Sequence, residues 1–138
     1  MVPRFRCWFK DSGTQAAHMV EWHELRQFKA LGDLLEYSGE NKSFHLMQST
    51  GLKDKNGVDI FEGDVLNIIE VTDQGLKEYL TDVKWEDCSF VVKSGGDDYD
   101  TFLAAWTSDP NTTYPLFEIQ VVGNIYENPE LLEQTNEN

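Results

Sequence analysis

Hydrophobic and polar residues alternate over Arg4–Phe9, which predicts a half-buried strand with Phe5, Cys7 and Phe9 on one side. Asp11-Ser12-Gly13 then reads as a turn, and Met19–Trp22 as the returning strand of a hairpin. Between His23 and Tyr37 the period changes. Leu25, Phe28, Leu31 and Leu35 are spaced for one face of a helix, which predicts a helix near 23–37. Gly32 works against it, since glycine costs about 1 kcal/mol relative to alanine inside a helix. Ser38–Lys42 is a polar loop. Phe44–Gln48 is the next strand, with His45 off the face that Phe44 and Leu46 share.

From here the chain reads as short strands between turns. Thr50-Gly51 is expected to end the strand that begins at Phe44. Asn56-Gly57 is a tight-turn dipeptide whose residues both tolerate positive φ. Glu62-Gly63-Asp64 suits a sharp bend or bulge. Val65–Val71 is β-branched and strand-like. Gln74-Gly75 marks a turn, and Leu76–Trp85 holds a strand ending in Val83 and Trp85. Glu86-Asp87 turns the chain into Phe90–Lys93. Phe102–Trp106 and Ile119–Ile125 are further apolar segments, separated by a loop around Asp109-Pro110-Asn111. Near the end, Asn128 suits an N-cap, Pro129 the first helical position, and Glu130 the positive end of the helix dipole. A short helix over 129–134 follows, with Leu131 and Leu132 free to pin it to the sheet. The class predicted is mainly β: a coiled antiparallel sheet or an SH3-like small barrel, closed by a short C-terminal helix. The organisation expected is one domain over 1–138, with an N-terminal hairpin region (1–45), a barrel-like core (46–128) and the helix.

Composition sharpens this. The chain has 138 residues, of which 40% are hydrophobic and 12% aromatic, enough for a packed core without a disulfide or metal staple. Its net charge of −14 disfavours nonspecific binding to duplex phosphate. Cys7 and Cys88 lack a Cys-x-x-Cys spacing, and no segment reads as a secretory signal or a membrane span. The expectation is a cytoplasmic, reducing environment with two free thiols, no cofactor and no membrane association.

Three segments carry a family resemblance. They are Leu46–Val65, with its Thr-Gly, Asn-Gly and Glu-Gly-Asp signals; the opening Arg-Phe-Arg-Cys-Trp-Phe at residues 4–9; and Val121–Leu132, with Gly-Asn-Ile-Tyr-Glu-Asn-Pro-Glu at its centre. Together they resemble the YopX-like family of bacteriophage and prophage proteins. Phe9 stands where that pattern has an acidic residue, and His23–Tyr37 departs from it most. The resemblance implies a phage setting and an all-β fold. It implies no reaction.

The chemistry-bearing residues are few. Asp54–Asp59 invites a calcium-loop reading, but an EF-hand needs glycine at the sixth position and here it falls at the fourth. His18, Glu21, His23 and Glu24 lack His-Glu-x-x-His spacing. Asp97, Asp98 and Asp100 crowd one loop as an acidic surface that could hold a divalent cation through oxygen ligands. Neither cysteine has the neighbours of an activated thiolate. No Gly-x-Ser-x-Gly elbow or phosphate-cradling loop is present. Arg4, Arg6 and Lys10 form a small basic group, and with Trp8 and Trp85 they are the candidate binding residues.

Three functional readings follow. The favoured one is a non-catalytic protein-binding or self-assembling β module that uses sheet edges against another copy, a host protein or a phage protein. The second is a nucleic-acid binder on the basic group and aromatics, or its inverse: a DNA mimic whose Asp97, Asp98, Asp100, Glu127, Glu130 and Glu133 occupy a host DNA-binding protein. The third is a metal-dependent enzyme built on His18, His23 and the acidic loop.

Overall fold

The alternation of Phe5, Cys7 and Phe9 does make a strand. In the computed structural model, β1 (Phe5–Phe9) lies between β2 (His18–Val20) and β3 (Phe44–Lys53), antiparallel to both. The structure describes residues 4–29, 31–32, 43–86, 88–93, 99, 101–102 and 117–135. The chain forms two compact units, Met1–Ser49 and Thr50–Asn138.

In the first unit, Cys7 pairs with Val20 on one side and Leu46 on the other. Cys7, Val20, Leu25 and Phe44 are buried together, with Phe5, Phe9, Trp22, Leu31 and Leu46 packed around them. The returning strand stops at Val20. Trp22, expected to extend it, instead opens the single-turn helix α1 (Trp22–Leu25). The turn serves the core: it buries Leu25 completely and sets Trp22 against Phe5, ring centroids 6.1 Å apart. Of the helix expected near 23–37, the described residues show this turn and helical backbone again at Leu31 and Gly32, with Phe28 between them exposed. Leu35 and Tyr37 lie outside the described residues.

Strand β3 does not end at Thr50-Gly51. It continues to Lys53, with Gly51 at φ 78°. A left-handed residue inside a strand is a bulge-like kink that a side chain would resist. The Thr50 hydroxyl secures it, donating to the Ile60 carbonyl at 2.7 Å and accepting the Leu52 N–H at 3.1 Å. β4 (Asp59–Phe61) then pairs with β3.

The second unit is built on β5 (Asp64–Thr72), which sits between β6 (Gly75–Asp82) and β10 (Phe117–Asn124). A further sheet joins β7 (Lys84–Glu86), β8 (Ser89–Val92) and β9 (Thr101–Phe102). The pairings of β5 with β6 and β10, and of β8 with β7 and β9, are antiparallel. β6 runs into β7 through Val83, whose N–H and C=O bond Asp64 and Gly63. The strand thus leaves one sheet and enters the next, which curls the unit. Leu66 and Ile68 of β5 face inward and join Ile60, Val83, Val92 and Ile119 in an aliphatic core. Each such side chain contributes roughly 2 kcal/mol by burial. Helix α2 (Glu130–Thr135) closes the chain and packs against β6. The mainly β, curled antiparallel class with a short C-terminal helix therefore stands.

Candidate functional site

The polar residues of Leu46–Val65 and Val121–Leu132 are spent on turns. Asp54, 7% exposed, accepts N–H groups from Asn56 (2.8 Å), Val58 (2.9 Å) and Val121 (3.0 Å). Burial pushes its carboxyl up. The bonds from Val121, Val58 and Asn56 and the Lys55 charge outweigh it, so the group titrates below the usual carboxylate range. The turn it shapes uses positive φ at Gly57 (79°) and not at Asn56.

Asp64, 1% exposed, accepts the Phe61 N–H at 2.8 Å across the Glu62-Gly63 bend. Gly63, at φ 86°, donates to Val83 and accepts from Ile125. At the C-terminal turn, Asn124 Oδ1 accepts the Tyr126 and Glu127 N–H groups, and its Nδ2 donates to Glu127 at 2.6 Å. The Asn128 side chain does not cap α2. It turns back to accept the Asn124 N–H at 3.3 Å. A Cβ on Gly123 would stand 2.5 Å from that Asn128 oxygen, so glycine is what lets the two segments meet.

The surface with binding character is the outer half of the β5–β6 hairpin. Beyond the fully buried Val65, the odd-numbered β5 residues Asn67, Ile69 and Val71 face away from the core. In register across the sheet they give Val71 beside Leu76, then Ile69 between Glu118 and Glu78, then Asn67 between Gln120 and Leu80. Val71 is 51% and Leu76 76% exposed. β6 is the outer strand of its sheet among the described residues, and Gly75 to Glu78 are each exposed. Closer to Val83 the edge is occupied: Lys93 donates its N–H to Thr81 Oγ1 at 3.0 Å.

The surface is acidic because of how charge divides along the chain. Residues 1–49 hold six basic and six acidic side chains, while residues 50–138 hold five basic against nineteen acidic. Each of those five lysines has a contact inside its own unit. Lys53 pairs with Asp59 at 3.0 Å and Lys55 with Glu118 at 3.7 Å. Lys77 lies over the Tyr79 ring, and Lys84 and Lys93 lie over the Tyr99 ring, 4.2 and 4.8 Å from its centroid. The Tyr99 hydroxyl donates to the buried carboxylate of Asp82. Burial, that bond and the charges of Asp82 and Glu86 raise the hydroxyl above the usual tyrosine range, so Tyr99 is a neutral anchor.

The residues singled out from sequence are distributed as follows. Arg4 and Lys10 are exposed at the two ends of β1, and Arg6 and Trp8 are half-buried within it. Arg6 and Trp8 pair with Met47 and His45, and Met47 is fully buried, so that face of the strand is partly covered. Burial and the Lys10 charge hold the His45 imidazole below its usual range. Trp85 lies on β7 of the second unit, 43% exposed, against its cross-strand neighbour Phe90 at 4.6 Å. Asp97, Asp98, Asp100 and Trp106 lie outside the described residues.

His18 stacks on Phe9, and His23 is an exposed residue of α1 at 3.8 Å from Glu24. Among the described residues no three His, Cys, Asp or Glu side chains are placed to hold a metal ion. Cys7 is buried, and burial pushes its thiol up to about 11 despite a hydrogen bond with the His45 backbone; Cys88 is an exposed free thiol. No described helix is long and apolar enough to cross a membrane. The Val71–Leu76 pair went unread in the sequence. Its signal was there: with Gln74-Gly75 at the turn, these two flank a hairpin tip.

A mainly β chain whose buried carboxylates and amides organise Asn-Gly, Glu-Gly-Asp and Gly-Asn turns defines a structural class before it defines a chemistry. The model of the YopX protein family matches residues 4–133, and the chain belongs to that family. Among solved structures it is similar to protein EF1440 from Enterococcus faecalis, at 22% identity and a TM-score of 0.52. That alignment covers 96% of this chain and 99% of the other, and it supports the fold. No curated protein matches.

Proposed function

We propose that this chain is a non-catalytic β module that binds another polypeptide, and that the outer half of its β5–β6 hairpin is the contact. The observation that carries this is the pairing of a strand that is outermost among the described residues with exposed apolar side chains. Val71 and Leu76 stand side by side at the tip, and the neighbouring residues of β6 are open to solvent. An outer strand offers main-chain groups to an incoming segment, and adjacent apolar side chains supply area for it to bury. Trp85, further along the same run of chain, adds an aromatic of the kind that anchors interfaces. The buried carboxylates support the same reading, because Asp54 and Asp64 bond backbone N–H groups of their own turns.

The test is affinity capture from host cells with the wild-type chain and with Leu76→Glu. Leu76 is 76% exposed, so the variant should keep its melting temperature. The expected result is a protein retained by the wild type and lost by the variant. Equal capture by both, or capture by neither, overturns the proposal.

A further inference from the structure

We infer that the segment taken up at this hairpin is extended and basic, with apolar residues alternating between its positive ones. The inference rests on the binding reading above and names the kind of partner. Three observations lead to it.

The first is charge. The second unit carries the whole net charge of −14, and each of its five lysines already contacts a side chain within the unit. An approaching strand meets an excess of carboxylates, which favours and steers a cationic partner.

The second is the spacing of that charge. Across the outward face, Glu118 and Glu78 flank Ile69, and the next row out is Val71 with Leu76. Glu78 is exposed and accepts one hydrogen bond, from Asn67 Nδ2 at 3.0 Å. A strand added beside β6 would place one side chain in register with Leu76 and, two residues along, another with Glu78. An apolar residue suits the first position and a lysine or arginine the second.

The third observation weighs against a second copy. Two copies that each carry −14 repel at long range. In an antiparallel β6 pair that keeps its faces, a register centred on Lys77 or on Glu78 sets like charges opposite one another, and one centred on Leu76 pairs the leucines but sets Glu78 opposite Gln74, with no cation to meet it.

The test uses the full chain and fluorescently labelled peptides of equal length, read by anisotropy. The probe alternates lysine with valine. One control alternates lysine with glycine and serine, keeping the charge and losing the strand preference; another alternates glutamate with valine. The lysine–valine probe should bind, weakening by roughly tenfold with Glu78→Lys and with Leu76→Glu. The glutamate peptide should not bind, and the lysine–glycine–serine peptide should bind at least roughly tenfold more weakly. Equal binding of the two lysine peptides would reduce the effect to charge alone and overturn the inference. So would Leu76-dependent dimerisation in sedimentation with no peptide binding. If capture from cells depends on Leu76 while the lysine–valine probe fails, the binding module stands and the basic strand falls. If both fail, both fall.

Discussion

The two units solve the same problem with different materials. The first packs aromatics: Phe5, Phe9, Phe44 and Trp22 gather around Cys7, Val20 and Leu25, and its ionised side chains balance to zero. It holds all three histidines and all three arginines of the chain. The second packs aliphatics, fastens its turns with buried carboxylates and amides, and carries all of the excess negative charge. Buried acids and surface acids therefore do different work in one unit. Asp54 and Asp64 hold backbone, while Glu78 and Glu118 sit out on the sheet face. Motif recognition finds the first kind. The geometry of the sheet finds the second.

The sharpest way to break this comparison is at Asp54. Asp54→Ala leaves three partly buried N–H donors without their acceptor and should cost about 3 kcal/mol in a denaturant melt. Asp54→Asn should cost less, because one oxygen can still serve Asn56 and Val58 while the amide NH2 opposes Val121. The pH dependence has a fixed sign. A carboxyl held below its unfolded value of 3.8 stabilises the fold above that pH, and this is lost as pH falls through the lower folded value. The wild type should weaken on acidification below about pH 4, and Asp54→Asn should lose that part of the dependence.

Gly123→Ala should cost about 2 kcal/mol, since its methyl must displace the Asn128 amide and the bond to Asn124. In a double-mutant cycle with Asn128→Ala the losses should fall short of additive, because both changes break one contact. Smaller and opposite in sign is Cys88→Gly. Cys88 holds φ 63°, a conformation that costs a side chain energy, so glycine there should raise stability by roughly 0.5–1 kcal/mol. The least energetic difference is in reactivity. At neutral pH a thiol reagent should label Cys88 rapidly in the native protein and reach Cys7 only after denaturation.

Much of the fold was legible because period-two alternation and glycine turns are local signals. Phe5, Cys7 and Phe9 needed no partner to declare a strand, and Leu131 and Leu132 sit on the helix expected for them. Three readings went astray for tertiary reasons. Trp22 left the strand because a helical turn buries Leu25. Thr50-Gly51 did not end β3, because a hydroxyl bonded to Ile60 lets the strand pass through a left-handed glycine. Asn128 reads as a cap, but its amide meets Asn124 through the gap that Gly123 leaves. The binding surface was harder still. Glu78 and Glu118 lie forty residues apart in sequence and become neighbours of Ile69 only through the β10–β5–β6 register. Nor could composition reveal that the net charge falls entirely on one side of residue 49.

The most direct test of the hairpin as the binding element is a residue-resolved amide spectrum of the labelled chain, titrated with the lysine–valine peptide. Shifts should concentrate in Ile69–Val71 and Gly75–Leu80 and leave Arg6, Trp8 and Lys10 still. Shifts centred on Arg6, Trp8 and Lys10, with the hairpin silent, would contradict the account.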